Sequence, residues 1–251
     1  MSYISNGKDG EAVTLTVEKG PDYHQQRTYA IPRAVIHNYT VDSKMFNEKV
    51  GYVKISSFNK ATPAEFKTAI ESLTAKGAES FIFDLRNNGG GDLEGIKGVL
   101  DYLLPEGPII RIISKNGSEQ VLTSDASSVD KPMAVIINGS TASAAELFSA
   151  ALRDYGKAKL VGTTSYGKGT MQTVVSLPDG SGITISYRMY NPPYSDNYEG
   201  IGVQPDIVLP LADELLEKNF YKITDEEDNQ IQTAVAILRG EMTVEEANAA
   251  N

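Results

Sequence analysis

Ser143 and Lys168 are the residues of this chain whose types and surroundings can do covalent chemistry. Ser143 stands where the apolar run Met133-Ala134-Val135-Ile136-Ile137 has given way to the small-residue loop Asn138-Gly139-Ser140-Thr141-Ala142. A helical pattern begins at Ala144, and Lys168 follows downstream in Tyr166-Gly167-Lys168-Gly169-Thr170. A serine hydroxyl attacks a carbonyl only when a base takes its proton, and a lysine amine can be that base where burial keeps it neutral. The histidines, His24 and His37, both lie far upstream, so lysine is the expected base for a nucleophilic serine here.

The elements around Ser143 suit that chemistry. Helix-favouring residues run from Ala144 to Tyr155, which puts the serine at a helix N-terminus, where unpaired N–H groups favour negative charge. The Ala144 N–H is then placed to bind the oxyanion formed when a carbonyl is attacked. A second donor is expected from Gly89-Gly90-Gly91, because glycine lets the backbone approach a substrate with no side chain in the way. Gly90 and Gly91 both remain candidates for it.

Strands and helices must alternate to hold these loops. Val50–Ile55 reads as a strand, and Thr62-Pro63-Ala64-Glu65 opens a helix that runs to Ala75 and ends at Lys76-Gly77. Ser80–Leu85 is a buried strand running into the glycine loop, and Asp92–Leu104 is the next helix. Short strands are expected at 109–114 and 119–122 around Asn116-Gly117, and a hairpin at 172–177 and 182–189 around Pro178-Asp179-Gly180-Ser181. Amphipathic helices are expected over 212–220 and 225–238, with a short capped or frayed tail over 241–248. This alternation predicts an α/β layered core.

Size and charge bound the possibilities. A chain of 251 residues, 41% hydrophobic, can bury a substantial core, and its net charge of −10 argues against non-specific binding to nucleic acid or anionic lipid. It contains no cysteine, which removes disulfides, thiolate chemistry and cysteine-zinc sites. No run of eighteen apolar residues and no N-terminal signal pattern occurs.

Several separated stretches together resemble the carboxyl-terminal processing proteases, or tail-specific proteases, serine peptidases with a Ser-Lys dyad. They are Asp84-Leu85-Arg86-Asn87-Asn88-Gly89-Gly90-Gly91, Thr141-Ala142-Ser143-Ala144-Ala145-Glu146, Asp154-Tyr155-Gly156, Tyr166-Gly167-Lys168-Gly169-Thr170-Met171-Gln172 and Gly202-Val203-Gln204-Pro205-Asp206-Ile207. They stand in the family's order and spacing, over about residues 50 to 210. The resemblance implies Ser143 as nucleophile, Lys168 as general base and then acid, and Gln172 as the residue that orients the lysine, on the same strand face. It gives the oxyanion hole to Ala144 and one of Gly90 and Gly91. Gly89 departs from the proline common in the family and is expected to loosen the loop.

The resemblance further implies a Clp protease/crotonase-like catalytic core over 36–215, a helical segment over 216–251, and a remnant of a PDZ-like peptide-binding domain over 1–35. Alternation of Val13, Leu15 and Val17 suits a closing strand of that remnant. Nearly all of such a module would lie before Met1, so the chain is expected to be the remainder of a longer protein, any membrane anchor lying in the missing part. The implied substrates are proteins or peptides with apolar C-termini, with no metal, organic cofactor or nucleic acid, and the implied location is extracytoplasmic.

Taken singly, Ser143 reads as a helix cap, Lys168 as a solvated charge, Gln172 as an exposed strand residue and the glycines as a turn. Asp84 and Arg86 are expected to form an ion pair holding the loop, Glu146 to complement the helix dipole, and Asp154-Tyr155 to pack or cap. Two rival functions stand beside the peptidase. Gly162-Thr163-Thr164-Ser165-Tyr166-Gly167-Lys168 fits a phosphate loop up to its lysine, but Gly169 replaces the required serine or threonine and a strand-like stretch follows. The other rival is a non-catalytic peptide- or lipid-binding protein of the same fold, which would be expected to lose the serine, lysine or glutamine.

Overall fold

A computed structural model describes residue 4 and residues 6–20, 25–46 and 49–249. His24 and the extreme ends of the expected N- and C-terminal segments lie outside the described residues. The chain forms two units, Met1–Asn38 and Tyr39–Asn251. In the first, β1 (Ala12–Lys19) and β2 (Gln25–Pro32) pair antiparallel as a hairpin.

The second unit is built on a six-stranded sheet. Its elements are β3 (Val41–Met45), β4 (Val50–Ile55), α1 (Thr62–Ala75), β5 (Ser80–Asp84) and α2 (Leu93–Leu103), followed by β6 (Gly107–Ser114), β7 (Glu119–Ser124), β8 (Met133–Ile137), α3 (Ala144–Asp154) and β9 (Ala158–Gly162). Then come β10 (Thr170–Ser176), β11 (Gly182–Asn191), β12 (Ile207–Val208), α4 (Asp213–Leu216), α5 (Asn229–Leu238) and α6 (Val244–Ala249). The sheet order is β12-β9-β8-β5-β4-β3, parallel except where β3 meets β4. A second, antiparallel sheet runs β10-β11-β6-β7. This is an α/β fold with mixed sheets.

Period-2 alternation sorts the strand residues between two layers. Phe81, Phe83, Val135 and Ile137 join α1, α2 and α3 in one core, where Phe66, Val99, Leu100 and Phe148 meet them. Ile82, Ala134, Ile136 and Val161 face the other way, onto Ile231, Ala234 and Val235 of α5. Both faces of β5 and β8 are therefore covered, which explains the apolar runs Phe81–Phe83 and Met133–Ile137. No described helix is long and apolar enough to cross a membrane.

Two helices differ from expectation. The stretch 212–220 yields only the short α4 and a single 3-10 turn at Phe220–Lys222. Leu215 is its one buried position while Leu216 is exposed, so no continuous apolar stripe supports a longer helix. The helix expected from 225 starts at Asn229, because Asp228 caps it by accepting from the Gln230 and Ile231 amides.

Candidate active site

Strand order explains why distant motifs meet. β9, β8 and β5 are adjacent and parallel, so their carboxyl ends deliver the lysine loop, the serine loop and the glycine loop to one edge of the sheet, where α/β folds place ligands. Backbone bonds stitch the three together. The Ala142 N–H donates to Asn88 O at 2.9 Å, the Tyr166 N–H to Thr141 O at 2.9 Å, and the Thr141 hydroxyl to Leu85 O at 2.9 Å.

Ser143 occupies the N-cap of α3 with φ 58° and ψ −121°. A non-glycine residue in this region is uncommon and costs strain, which the surrounding bonds must hold. The Glu146 carboxylate, fully buried, supplies much of that support. Its Oε2 accepts from the Ser143 N–H and the Lys168 N–H, both at 2.8 Å, and its Oε1 accepts from the Ser165 hydroxyl at 2.5 Å and the Gly167 N–H at 2.6 Å. Glu146 thus ties the backbone of the serine to that of the lysine. The sequence reading placed it in the first helical turn for its charge and missed this bridge. The three-residue step from Ser143 to Glu146 fits the reciprocal half of a capping box, which was the available signal.

Ser143, Ala144, Lys168, Gln172 and Gly91 line one open cavity of about 280 Å³, with Leu93, Ile96, Leu147 and Met171 forming apolar wall. The Gly90 N–H donates to Asn88 Oδ1 at 2.8 Å. Among the described residues, the amides of Gly91 and Ala144 have no hydrogen-bond acceptor, so both are open to a group bound in the cavity they line. Gly90 has a packing role as well: a Cβ there would stand 2.7 Å from Ser143 Cβ and 2.9 Å from Ala144 N, at φ +99°. Gly89 is exposed, has open space around its Cα, and its N–H has no acceptor among the described residues.

The side chains of the site are not all joined to one another. Ser143 Oγ lies 3.0 Å from Tyr190 Oη, and no hydrogen bond links Lys168 Nζ to Ser143 or to Gln172 among the described residues. Gln172 is exposed and its amide donates to Ser186 Oγ at 3.3 Å. The even spacing from Lys168 assumed a regular strand, whereas β10 begins only at Thr170 and its pairing with β11 shifts register between Met171 and Gln172. Such a bulge breaks the alternation of faces.

A second polar cluster braces the glycine loop from behind. Arg86 donates to Asp84 through Nε and Nη2, and through Nη1 to Asp228 Oδ2 at 2.7 Å and Gln230 Oε1 at 2.9 Å; Tyr52 donates to Asp84 Oδ2 at 2.7 Å. Burial pushes the Asp84 carboxyl up, but the Arg86 guanidinium and the hydrogen bonds from Arg86 and Tyr52 outweigh it and hold the group below the ordinary carboxyl range. Asp154 accepts from the Tyr194 and Ser195 amides and the Ser195 hydroxyl, and Tyr155 donates to Pro108 O. Asp154 therefore holds the loop after β11, and Tyr155 ties the end of α3 to β6.

Comparison with known proteins follows the same residues. A sequence model of peptidase family S41 matches residues 49–209. The chain is 33% identical over 218 residues to carboxyl-terminal-processing peptidase 2, chloroplastic, of Arabidopsis thaliana, covering 82% of this chain and 42% of that protein. It is 35% identical over 212 residues to the carboxy-terminal processing protease CtpA of Bacillus subtilis, covering 84% and 45%. Among solved structures, a photosystem II D1 C-terminal processing protease superposes with a TM-score of 0.63 at 28% identity, covering 81% of this chain and 57% of that one. The chain spans about half the length of the curated relatives it matches. Since the matched stretch includes β4 to β12 and with them the loops of Ser143 and Lys168, the chain belongs to peptidase family S41.

Proposed function

We propose that the protein is a serine endopeptidase that cuts proteins or peptides near apolar C-terminal tails through an acyl-enzyme. The observation that carries this is Ser143 in a positive-φ N-cap, sharing a cavity with Lys168 and with two acceptor-free amides. Ser143 Oγ attacks the scissile carbonyl while Lys168 takes the hydroxyl proton. The oxyanion is met by the N–H groups of Gly91 and Ala144, and Lys168 returns the proton to the leaving amine. Water then adds to the acyl group with Lys168 as base, and Ser143 recovers its proton as the acid departs. Gln172 orients the lysine once it leaves Ser186. Apolar substrate side chains are matched by Leu93, Ile96, Leu147 and Met171 in the cavity wall.

In the same reading, the core resembles that of Clp protease and crotonase enzymes, and the hairpin of the first unit is the end of a PDZ-like domain that binds the substrate tail by strand addition. The parent protein acts outside the cytoplasm, without metal or organic cofactor. The test is labelling by a fluorophosphonate serine probe alongside cleavage of a peptide with an apolar C-terminus. Ser143→Ala is expected to abolish both. Lys168→Arg is expected to be nearly as damaging as Lys168→Ala, since a guanidinium does not give up its proton. Labelling or cleavage retained by Ser143→Ala, or near-normal rates in Lys168→Arg, would overturn the reading.

A further inference from the structure

Tyr190 joins the loops of Ser143 and Lys168, and the expected dyad leaves it without a role. It stands near the end of β11, where that strand turns from exposed residues to buried ones and pairs with β6, Tyr190 opposite Ile112. Only 6% of the residue is exposed. Its Oη lies 3.0 Å from Ser143 Oγ and 2.5 Å from the Lys168 carbonyl oxygen, while its N–H donates to the next carbonyl, Gly169 O, at 3.1 Å. The Tyr198 ring packs edge-on at 6.1 Å, and the Tyr198 hydroxyl donates to Ser143 O at 3.3 Å. The ring thus packs against a second tyrosine that also touches the serine.

A phenol has one proton and a backbone carbonyl can only accept. The Tyr190 hydroxyl is the donor toward both the Lys168 carbonyl and Ser143 Oγ, sharing its proton between them and leaving the serine's own proton free. We propose that Tyr190 is a positioning residue for the nucleophile: it holds the Ser143 hydroxyl in one rotamer and, through the Lys168 carbonyl, fixes the spacing between the serine and lysine loops. This rests on reading Ser143 as the nucleophile. Burial pushes the Tyr190 phenol up to about 12, against the opposing hydrogen bonds with Ser143 and Tyr198. It therefore stays a phenol at neutral pH, which keeps it a bridge and leaves proton acceptance to Lys168.

Tyr190→Phe removes the hydroxyl and keeps the ring packed on Tyr198. The expected result is a fall of about tenfold in the rate constant for fluorophosphonate labelling, with the concentration dependence of probe binding unchanged and the melting temperature close to that of the parent. Unchanged or faster labelling would overturn the proposal, faster labelling meaning that the phenol restrains the serine. A second measurement does not depend on activity. In NMR of protein labelled at tyrosine 13Cζ, the Tyr190 resonance, identified by its loss in Tyr190→Phe, is expected to shift when Ser143→Ala removes its partner. A resonance that stays in place refutes the contact even if the chain cuts peptides. Absence of labelling in the unaltered chain would instead count against Ser143 as nucleophile, and the NMR shift would still decide whether phenol and serine are joined.

Discussion

Replacing Glu146 by glutamine tests whether one buried carboxylate holds the serine and lysine loops together. All four of its contacts are donors, two to each oxygen. A carboxamide has one oxygen to accept and one NH2 that cannot. One orientation turns the NH2 against the Ser143 and Lys168 amides; the other turns it against the Gly167 N–H and leaves the Ser165 hydroxyl, which can accept from the NH2, without an acceptor for its own proton. Two buried donors left unsatisfied cost about 1–3 kcal/mol each, and the remaining two bonds lose their charge assistance. The expected loss is about 4 kcal/mol. For a unit of this size, 1 kcal/mol moves the melting temperature by about 2–4 °C, so a drop of roughly 8–16 °C is expected by calorimetry. Because the Ser143 and Lys168 amides share one oxygen, fluorophosphonate labelling is expected to slow as well, measured well below the new melting temperature. A melting temperature within about 2 °C of the parent, with unchanged labelling, would refute the bridge.

Two further outcomes follow from the glycine loop and the cluster behind it. Gly89→Pro is expected to raise stability by about 0.4–1 kcal/mol in urea denaturation, since the exposed residue gives up no hydrogen bond or contact and the unfolded chain loses freedom; a loss of stability would show that the backbone there does not accept the ring. Asp84, held below the ordinary carboxyl range, binds a proton more readily in the unfolded chain, so its contribution is complete above about pH 3.9 and is lost as pH falls through its lower folded value. Asp84→Asn is expected to be destabilised by about 1.5–3 kcal/mol at pH 7, because Arg86 keeps Asp228 but loses its charged partner Asp84, and to show a shallower acid limb in a stability–pH series; an acid limb as steep as the parent's would refute that assignment.

How far the site could be read in advance depends on the range of the interaction concerned. Strands such as Ser80–Asp84 and Met133–Ile137 are legible because both their faces are buried and they carry the apolar runs Phe81–Phe83 and Met133–Ile137. The start of α1 is legible from Pro63 in its first turn, and Ser143 at the head of α3 from the change of small-residue loop to helix. The helix over 212–220 failed because an amphipathic pattern reports what could be buried, and only Leu215 finds the core. Gln172 shows a related limit: a spacing rule holds only while the strand stays regular, and the irregularity lies between Met171 and Gln172.

The amino-acid sequence by itself determined the alternation of strands and helices, the glycine loop, and the serine and lysine in their ordered motifs, because each of these is a property of neighbouring residues. Tertiary structure decided which groups meet. Parallel pairing of β5, β8 and β9 brings three loops to one edge, where Glu146 reaches Lys168, Tyr190 reaches Ser143, and the amide of Gly90 is taken by Asn88 while that of Gly91 is left open. Arg86 finds Asp228 at the head of α5 in the same way. Apart from Asn88 and Gly90, which stand two residues apart, these partners are distant in sequence. A hydrogen bond needs its two atoms within about 3 Å, and over such separations only the folded path of the chain sets that distance.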